Sequence, residues 1–223
     1  MKKKIKKDYK LIIFDFDGTL VDSIPSIHKT ANIMAKKYNM KPITVKGVKN
    51  AVGAGLGKFL EDIFKDVIEK IGFENIKRDY VQLYKKYFKY KIKTFPGVLK
   101  TLKILKKKNK KMVILSNKLY YFIKKSCQYV GINKFFDKII GRGDLKEDKP
   151  APYPVNFLAK KYKLKKKEIL LVGDSQYDAE CAHRAGVDFF YLSYGYGDKN
   201  KIKKFKPTYI KTKILDLLKV IES

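Results

Sequence analysis

The sequence predicts an α/β fold, a sheet of parallel strands with helices on both faces, interrupted near its start by an inserted all-helical block. Three observations carry that prediction. The apolar run Leu11-Ile12-Ile13-Phe14 ends at once on acidic residues and a glycine; residues 22–91 then read as helical throughout; and from there short apolar runs alternate with amphipathic segments. Strands buried on both faces read as continuous apolar runs, and their alternation with helices is the mark of parallel crossover units.

Taken in order, the first strand covers residues 11–14, where β-branched and aromatic residues crowd together before a turn. A helix over 26–38 follows, with Ile27, Ala31, Met34 and Ala35 at helical spacing. Helical patterning continues over 44–52, 57–71 and 76–91, with Phe59, Leu60, Ile63, Phe64 and Val67 on one stripe, and Gly53, Gly55, Gly57 and Gly72 as punctuation. Phe95-Pro96-Gly97 breaks the chain before a helix carrying Val98, Leu102 and Leu105. Strands are then expected over 112–115, 137–141, 169–172 and 188–192, separated by helices over 119–130, 153–162 and 177–185. The lysine-rich tail from 199 is expected to end in a helix over 212–221. Residues 1–21 and 92–223 would thus form the α/β core, and 22–91 a helical subdomain inserted after the first strand.

Bulk properties narrow the class. A chain of 223 residues with 45% hydrophobic and 13% aromatic content can bury a real core. No apolar run approaches the roughly 20 residues that span a bilayer. The basic start, MKKKIKKDYK, lacks the apolar stretch and small-residue cleavage site of a secretion signal, and Cys127 and Cys181 fit no zinc spacing. A cytoplasmic protein with reduced thiols is the expectation. The formal net charge of +30 points on its face to nucleic acid or anionic membrane. It is carried almost wholly by lysines spread along the chain, with Arg78, Arg142 and Arg184 the only arginines. Readers of base edges and phosphates favour arginine's flat fork, so the charge reads as a solvated surface whose field draws in small anions.

Four groups of polar residues recur at strand ends, where open α/β sheets build their sites. Asp15 and Asp17 follow the first strand, two acids so close that keeping both ionised needs a cation or a shared proton. Ser116-Asn117-Lys118 follows the second, a hydroxyl and exposed amides suited to a phosphoryl oxygen. Lys149 enters a helix through the proline-rich EDKPAPYP turn, and Gly173-Asp174-Ser175 with Asp178 follows the fourth strand. Each has an ordinary explanation alone, as turn residue, helix cap or surface lysine. Together they describe an acidic metal site faced by a hydroxyl and a lysine.

In these four motifs the chain closely resembles the haloacid dehalogenase superfamily, over nearly its full length and in the family's order. The resemblance implies a Rossmann-like parallel core and a mobile helical cap inserted after the first strand. It implies that Asp15 is the nucleophile, forming an aspartyl phosphate, and that Asp17 is general acid and base and lends its backbone carbonyl to the metal. It further implies that Asp174 binds Mg2+, that Asp178 orients ligands behind it, that Ser116 hydrogen-bonds the transferring group, and that Lys149 neutralises charge. Cleavage of a carbon–halogen bond needs no proton, and dehalogenases lack the acid that Asp17 represents, so phosphatase or phosphomutase activity remains.

Thr19-Leu20-Val21-Asp22-Ser23 and the glycine loop Val52-Gly53-Ala54-Gly55-Leu56-Gly57 lean toward the phosphoglycolate phosphatase-like branch. There Gly53 and Gly55, with Asn117 and Lys118, would contact a small phosphorylated metabolite. Nucleotidase, pyrophosphatase and β-phosphoglucomutase-like activities stay open, as does a non-enzymatic role on nucleic acid, and the chain is expected to act as monomer or homodimer without a membrane. His28 and His183 read as packing or surface residues and Cys181 as a small core residue, while Tyr177 is placed to flank the metal site.

Overall fold

In the computed structural model, which describes residues 7–221, six parallel strands form one sheet in the order β5-β4-β1-β6-β7-β8. They are β1 (Leu11–Phe14), β4 (Lys111–Leu115), β5 (Lys138–Ile140), β6 (Ile169–Gly173), β7 (Asp188–Leu192) and β8 (Tyr209–Lys211). The period of two along each strand sorts its side chains between two cores. Ile12, Phe14, Met112, Ile114, Leu170 and Val172 face one side. There they meet α5 (Val98–Lys107), α6 (Tyr120–Tyr129) and the C-terminal segment through Leu102, Ile123 and Leu217. Leu11, Ile13, Val113 and Leu171 face the other, packing on α7 (Tyr153–Lys161), α8 (Gln176–Ala185) and α9 (Lys199–Lys203) through Val155, Ala182 and Ile202. Both faces of the central strands are therefore dry, which is why those strands read as unbroken apolar runs.

Four helices lie between β1 and α5: α1 (Ile24–Lys37), α2 (Val45–Ala51), α3 (Leu56–Ile71) and α4 (Phe73–Tyr87). They enclose a core of their own, with Met34, Leu60, Phe64 and Ile76 fully buried, and Phe122 of α6 reaches into it from the main body. The chain enters this block through β2 (Val21–Asp22) and leaves through β3 (Lys93–Thr94), which pair antiparallel as a two-stranded ribbon.

Three features differ from the sequence expectation. The tail carries α9 and β8 and ends in a 3-10 segment over Ile214–Lys219, not in an α-helix over 212–221. The last helix of the block begins at Phe73, directly after Gly72, and stops at Tyr87, short of 91. The β2–β3 ribbon is new. The basic N-terminal run is described only from Lys7 onward; residues 1–6 lie outside the described residues.

Candidate active site

Strands β4, β1 and β6 are neighbours, so the residues just past their carboxyl ends converge. The chain runs from β1 outward through β4 to β5, then returns to the opposite side of β1 at β6. A crevice opens where the order reverses. Asp15 follows β1, Ser116 follows β4, and Asp174 follows β6. All three are buried.

The carboxylates of Asp15, Asp174 and Asp178 come together, each offering an oxygen within 4.8 Å of the others. Lys149 is the cation among them, donating to Asp15 Oδ1 at 2.7 Å and to Asp178 Oδ1 at 2.5 Å. The other oxygen of Asp178 accepts from Ser175 N at 3.0 Å and Ser175 Oγ at 2.6 Å, so it is fully spent holding Lys149 and the start of α8. Asp174 accepts from Thr19 Oγ1 at 2.6 Å and from the Tyr196 N–H at 2.8 Å. Three buried acids against one ammonium leave an excess of negative charge. Burial pushes the Asp15 carboxyl up, Lys149 pulls it back, and Asp178 and Asp17 push it up again, to about 7. Burial and the neighbouring Asp15 and Asp178 push Asp174 well above the usual carboxylate range. Burial alone would push the Lys149 ammonium down, but Asp15 and Asp178 outweigh it and hold Lys149 above its ordinary value. Hard oxygen donors with unbalanced charge fit a small divalent cation such as Mg2+.

Asp17 lies two residues on and faces elsewhere. Gly18, at φ +85, turns the chain there, and any Cβ on it would stand 2.3 Å from Asp174 Oδ2. The Asp17 carboxylate accepts from Ser23 Oγ at 2.5 Å and from Lys118 Nζ at 3.1 Å on each oxygen. Lys118 also donates to Tyr84 OH of α4 at 2.9 Å. Burial pushes its ammonium down, yet Asp17 and Tyr84 hold it above its ordinary value. These groups border a cavity of about 90 Å³ between the helical block and the sheet, with Asp15, Ser116 and Asn117 on its floor and Phe59, Tyr80 and Phe122 in its wall.

The structure thus gathers Asp15, Asp17, Ser116, Asn117, Lys118, Gly53, Gly55 and Asp174 around one cavity, with Lys149 and Asp178 beneath it. Asn117 donates to the backbone oxygens of Gly53 and Lys149, which occupies both its N–H groups. Tyr177 packs on the loop at Gly53. His28 bonds the Ile43 backbone oxygen, the His183 ring lies tilted against Phe205, and Cys181 is buried. Sequence reasoning passed over Tyr84 and Tyr196 and gave Thr19 no role of its own. The hydroxyl of Tyr196 accepts from Ser23 N and donates to Asp22 while its backbone N–H donates to Asp174, so one residue ties the loop after β7 to the ribbon and to Asp174. Nothing in a lone tyrosine far along the chain signals that role; Thr19 alone had a cue, its place in the first motif.

Comparison with known proteins agrees with this architecture. Residues 12–192 match the family described as haloacid dehalogenase-like hydrolase. A phosphoglycolate phosphatase of Pseudomonas fluorescens is 31% identical over 205 residues, 90% of this chain and 75% of that one. Another, from Vibrio parahaemolyticus, is 30% identical over 97% of both chains. The crystal structure of a predicted phosphoglycolate phosphatase from Haemophilus somnus superposes with a TM-score of 0.90 at 30% identity, covering 96% of this chain and 98% of that one.

Proposed function

This chain belongs to the haloacid dehalogenase-like hydrolase family and is a phosphatase, and we propose that it cleaves small phosphomonoesters, phosphoglycolate foremost, by attack of Asp15 on phosphorus. The observation that carries this reading is the division of labour between two acids one residue apart. Asp15 lies with Lys149 and the carboxylate cluster, while the Asp17 carboxylate turns to Ser23 and Lys118 in the same cavity.

In the reaction we infer, an Asp15 oxygen attacks phosphorus in line, the bond to the leaving oxygen breaks, and Asp17 hands its proton to the departing alkoxide. The aspartyl phosphate is then hydrolysed by a water whose proton Asp17 takes back. Ser116 donates to a phosphoryl oxygen, and Lys149 offsets the repulsion between carboxylate and phosphate. Asp178 acts through Lys149, since both its oxygens are engaged in holding that residue and Ser175. Asp15 and Asp174, with the Asp17 backbone oxygen, would hold Mg2+, which when bound supplies Lewis-acid stabilisation of phosphoryl charge. Lys118 would receive a second anionic group on the substrate, and the helical block would act as the cap that shuts out water. Support for phosphoglycolate comes from the named relatives, the small cavity, and a cation placed away from the phosphoryl site.

The test is phosphate release, scored as kcat/KM, from phosphoglycolate, nucleoside monophosphates, pyrophosphate, hexose phosphates and an aryl phosphate. Activity is expected with Mg2+, lost with EDTA, and highest for phosphoglycolate. The D15N variant should fall by several orders of magnitude, and full activity in it would overturn the assignment of the nucleophile.

A further inference from the structure

Two core side chains reach into the glycine loop of the helical block, and both also touch the segment that carries Lys149. Asn117 Nδ2 donates to the Gly53 oxygen at 3.0 Å and to the Lys149 oxygen at 2.9 Å. Arg142 Nη1 donates to the Ala54 oxygen at 2.7 Å, and its Nε stands 3.7 Å from Asp148 Oδ2. Consecutive carbonyls at 53 and 54 are therefore bridged to consecutive residues at 149 and 148. The base of the second bridge is fixed as well: the Arg142 N–H donates to the Lys118 oxygen at 2.9 Å, and Gly143 N donates to Asp148 Oδ1 at 3.1 Å.

Arginine at 142 stands out in a chain that uses lysine almost everywhere else. The other two arginines, Arg78 and Arg184, pair with Asn75 and Glu180 on their own helices. Only the planar guanidinium offers donors in two fixed directions, so it can serve a carbonyl and a carboxylate at once where an ammonium would choose. The loop is shaped to receive it. Gly55 lies at φ +94, and a Cβ there would stand 2.0 Å from Arg142 Nη1 and 3.0 Å from the Asn117 backbone oxygen.

We propose that Arg142 and Asn117 form a two-point latch that makes closure of the 53–55 loop and placement of Lys149 beside Asp15 a single event, with Arg142 as a positioning residue. The inference rests on the reading of Lys149 as the cation facing Asp15 and the phosphoryl group. With the loop closed, the 148–149 segment is held from both sides and Lys149 is in register. With the loop away, each bridge loses one anchor and that segment loosens. Substrate enclosure and full catalytic power then arrive together, which suppresses turnover of esters too large to be enclosed.

Hydrogen exchange on the full-length protein, with R142A and R142K beside the wild type, tests this directly. Arg142 is exposed, so the variants keep the fold. In R142A, exchange is expected to rise together at 52–57 and at 146–152, with a fall in kcat/KM of roughly 10- to 100-fold from misplacement of Lys149. R142K, with the charge but not the fork, should show the same paired rise to a smaller extent. Inorganic phosphate should slow exchange at both segments in the wild type and lose that coupling in R142A. A rise at 52–57 with 146–152 unchanged would reduce Arg142 to a loop anchor and overturn the latch, as would unaltered kcat/KM with both segments loosened. A wild type that hydrolyses no ester would defeat the phosphatase reading instead, and the paired exchange response would still decide the latch.

Discussion

Asp15 and Asp17 are separated by one residue and sit in different electrostatic surroundings. Burial and neighbouring acids hold Asp15 up at about 7 and push Asp174 higher than an ordinary carboxyl. On the proposed reading, protons and Mg2+ would compete for those oxygens. Because the cation binds the ionised form, its affinity should rise as pH climbs through 7 and fall below it. Thermal melts with and without Mg2+ should therefore show a larger stabilisation at pH 8 than at pH 6, reaching about 2.7 kcal/mol at free Mg2+ near 100 times its Kd. Equal shifts at the two pH values would count against the carboxylate cluster as the metal site. Asp15, Asp17 and Asp174 were legible in the sequence because they follow strand ends closely, and Lys149 because it stands in a proline-rich turn that leads into a helix. Tyr84, Tyr196 and Arg142 were not, since long-range packing alone brings them to the site.

At the scale of elements, the apolar runs of β1, β4, β6 and β7 were visible for the reason that they are buried on both faces. The short ones were not. β2 and β3, two residues each, have no periodicity to detect, and β8 at the sheet edge alternates buried Tyr209 with exposed Ile210 inside a lysine-rich stretch. The end of α4 went astray because Phe88 and Ile92 are buried and continue an apolar pattern after the helix itself has stopped. One clasp holds the sheet edge together. Asp188, first residue of β7, accepts from Lys7 at 2.7 Å, Tyr9 at 2.6 Å and Thr208 at 3.0 Å. Burial pushes its carboxyl up, yet these donors hold it below the usual value. Its stabilising effect is thus present above the unfolded carboxyl pKa of about 4 and lost as pH falls through the lower folded value. D188N should cost about 1 kcal/mol in denaturant unfolding at pH 7. That difference should shrink toward zero as the medium becomes acid.

For the whole molecule, 52 basic residues face 22 acidic ones, and several of those acids are gathered in one buried cluster. The exterior is therefore strongly positive around a negative centre. Such a field attracts dianionic esters from a distance and is screened by salt. Raising ionic strength from about 0.01 M to about 0.1 M shortens the Debye length from about 30 Å to about 10 Å, so kcat/KM for a dianionic ester should drop while kcat changes little. A kcat/KM indifferent to salt would show that the lysines do not steer substrate. Among the described residues no helix is long and apolar enough to cross a membrane.

The ribbon of β2 and β3 has a historical consequence. Asp22 and Lys93 are paired neighbours, so the stretch of chain between them begins and ends at one place. Closing such an excursion costs an entropy that grows only with the logarithm of its length. Residues 23–92 can thus be lengthened or shortened over generations while β1, β4 and β6 stay in register, provided that the carbonyls of Gly53 and Ala54 still reach Asn117 and Arg142. Ancestry can rewrite which molecule is admitted so long as those few tethers survive.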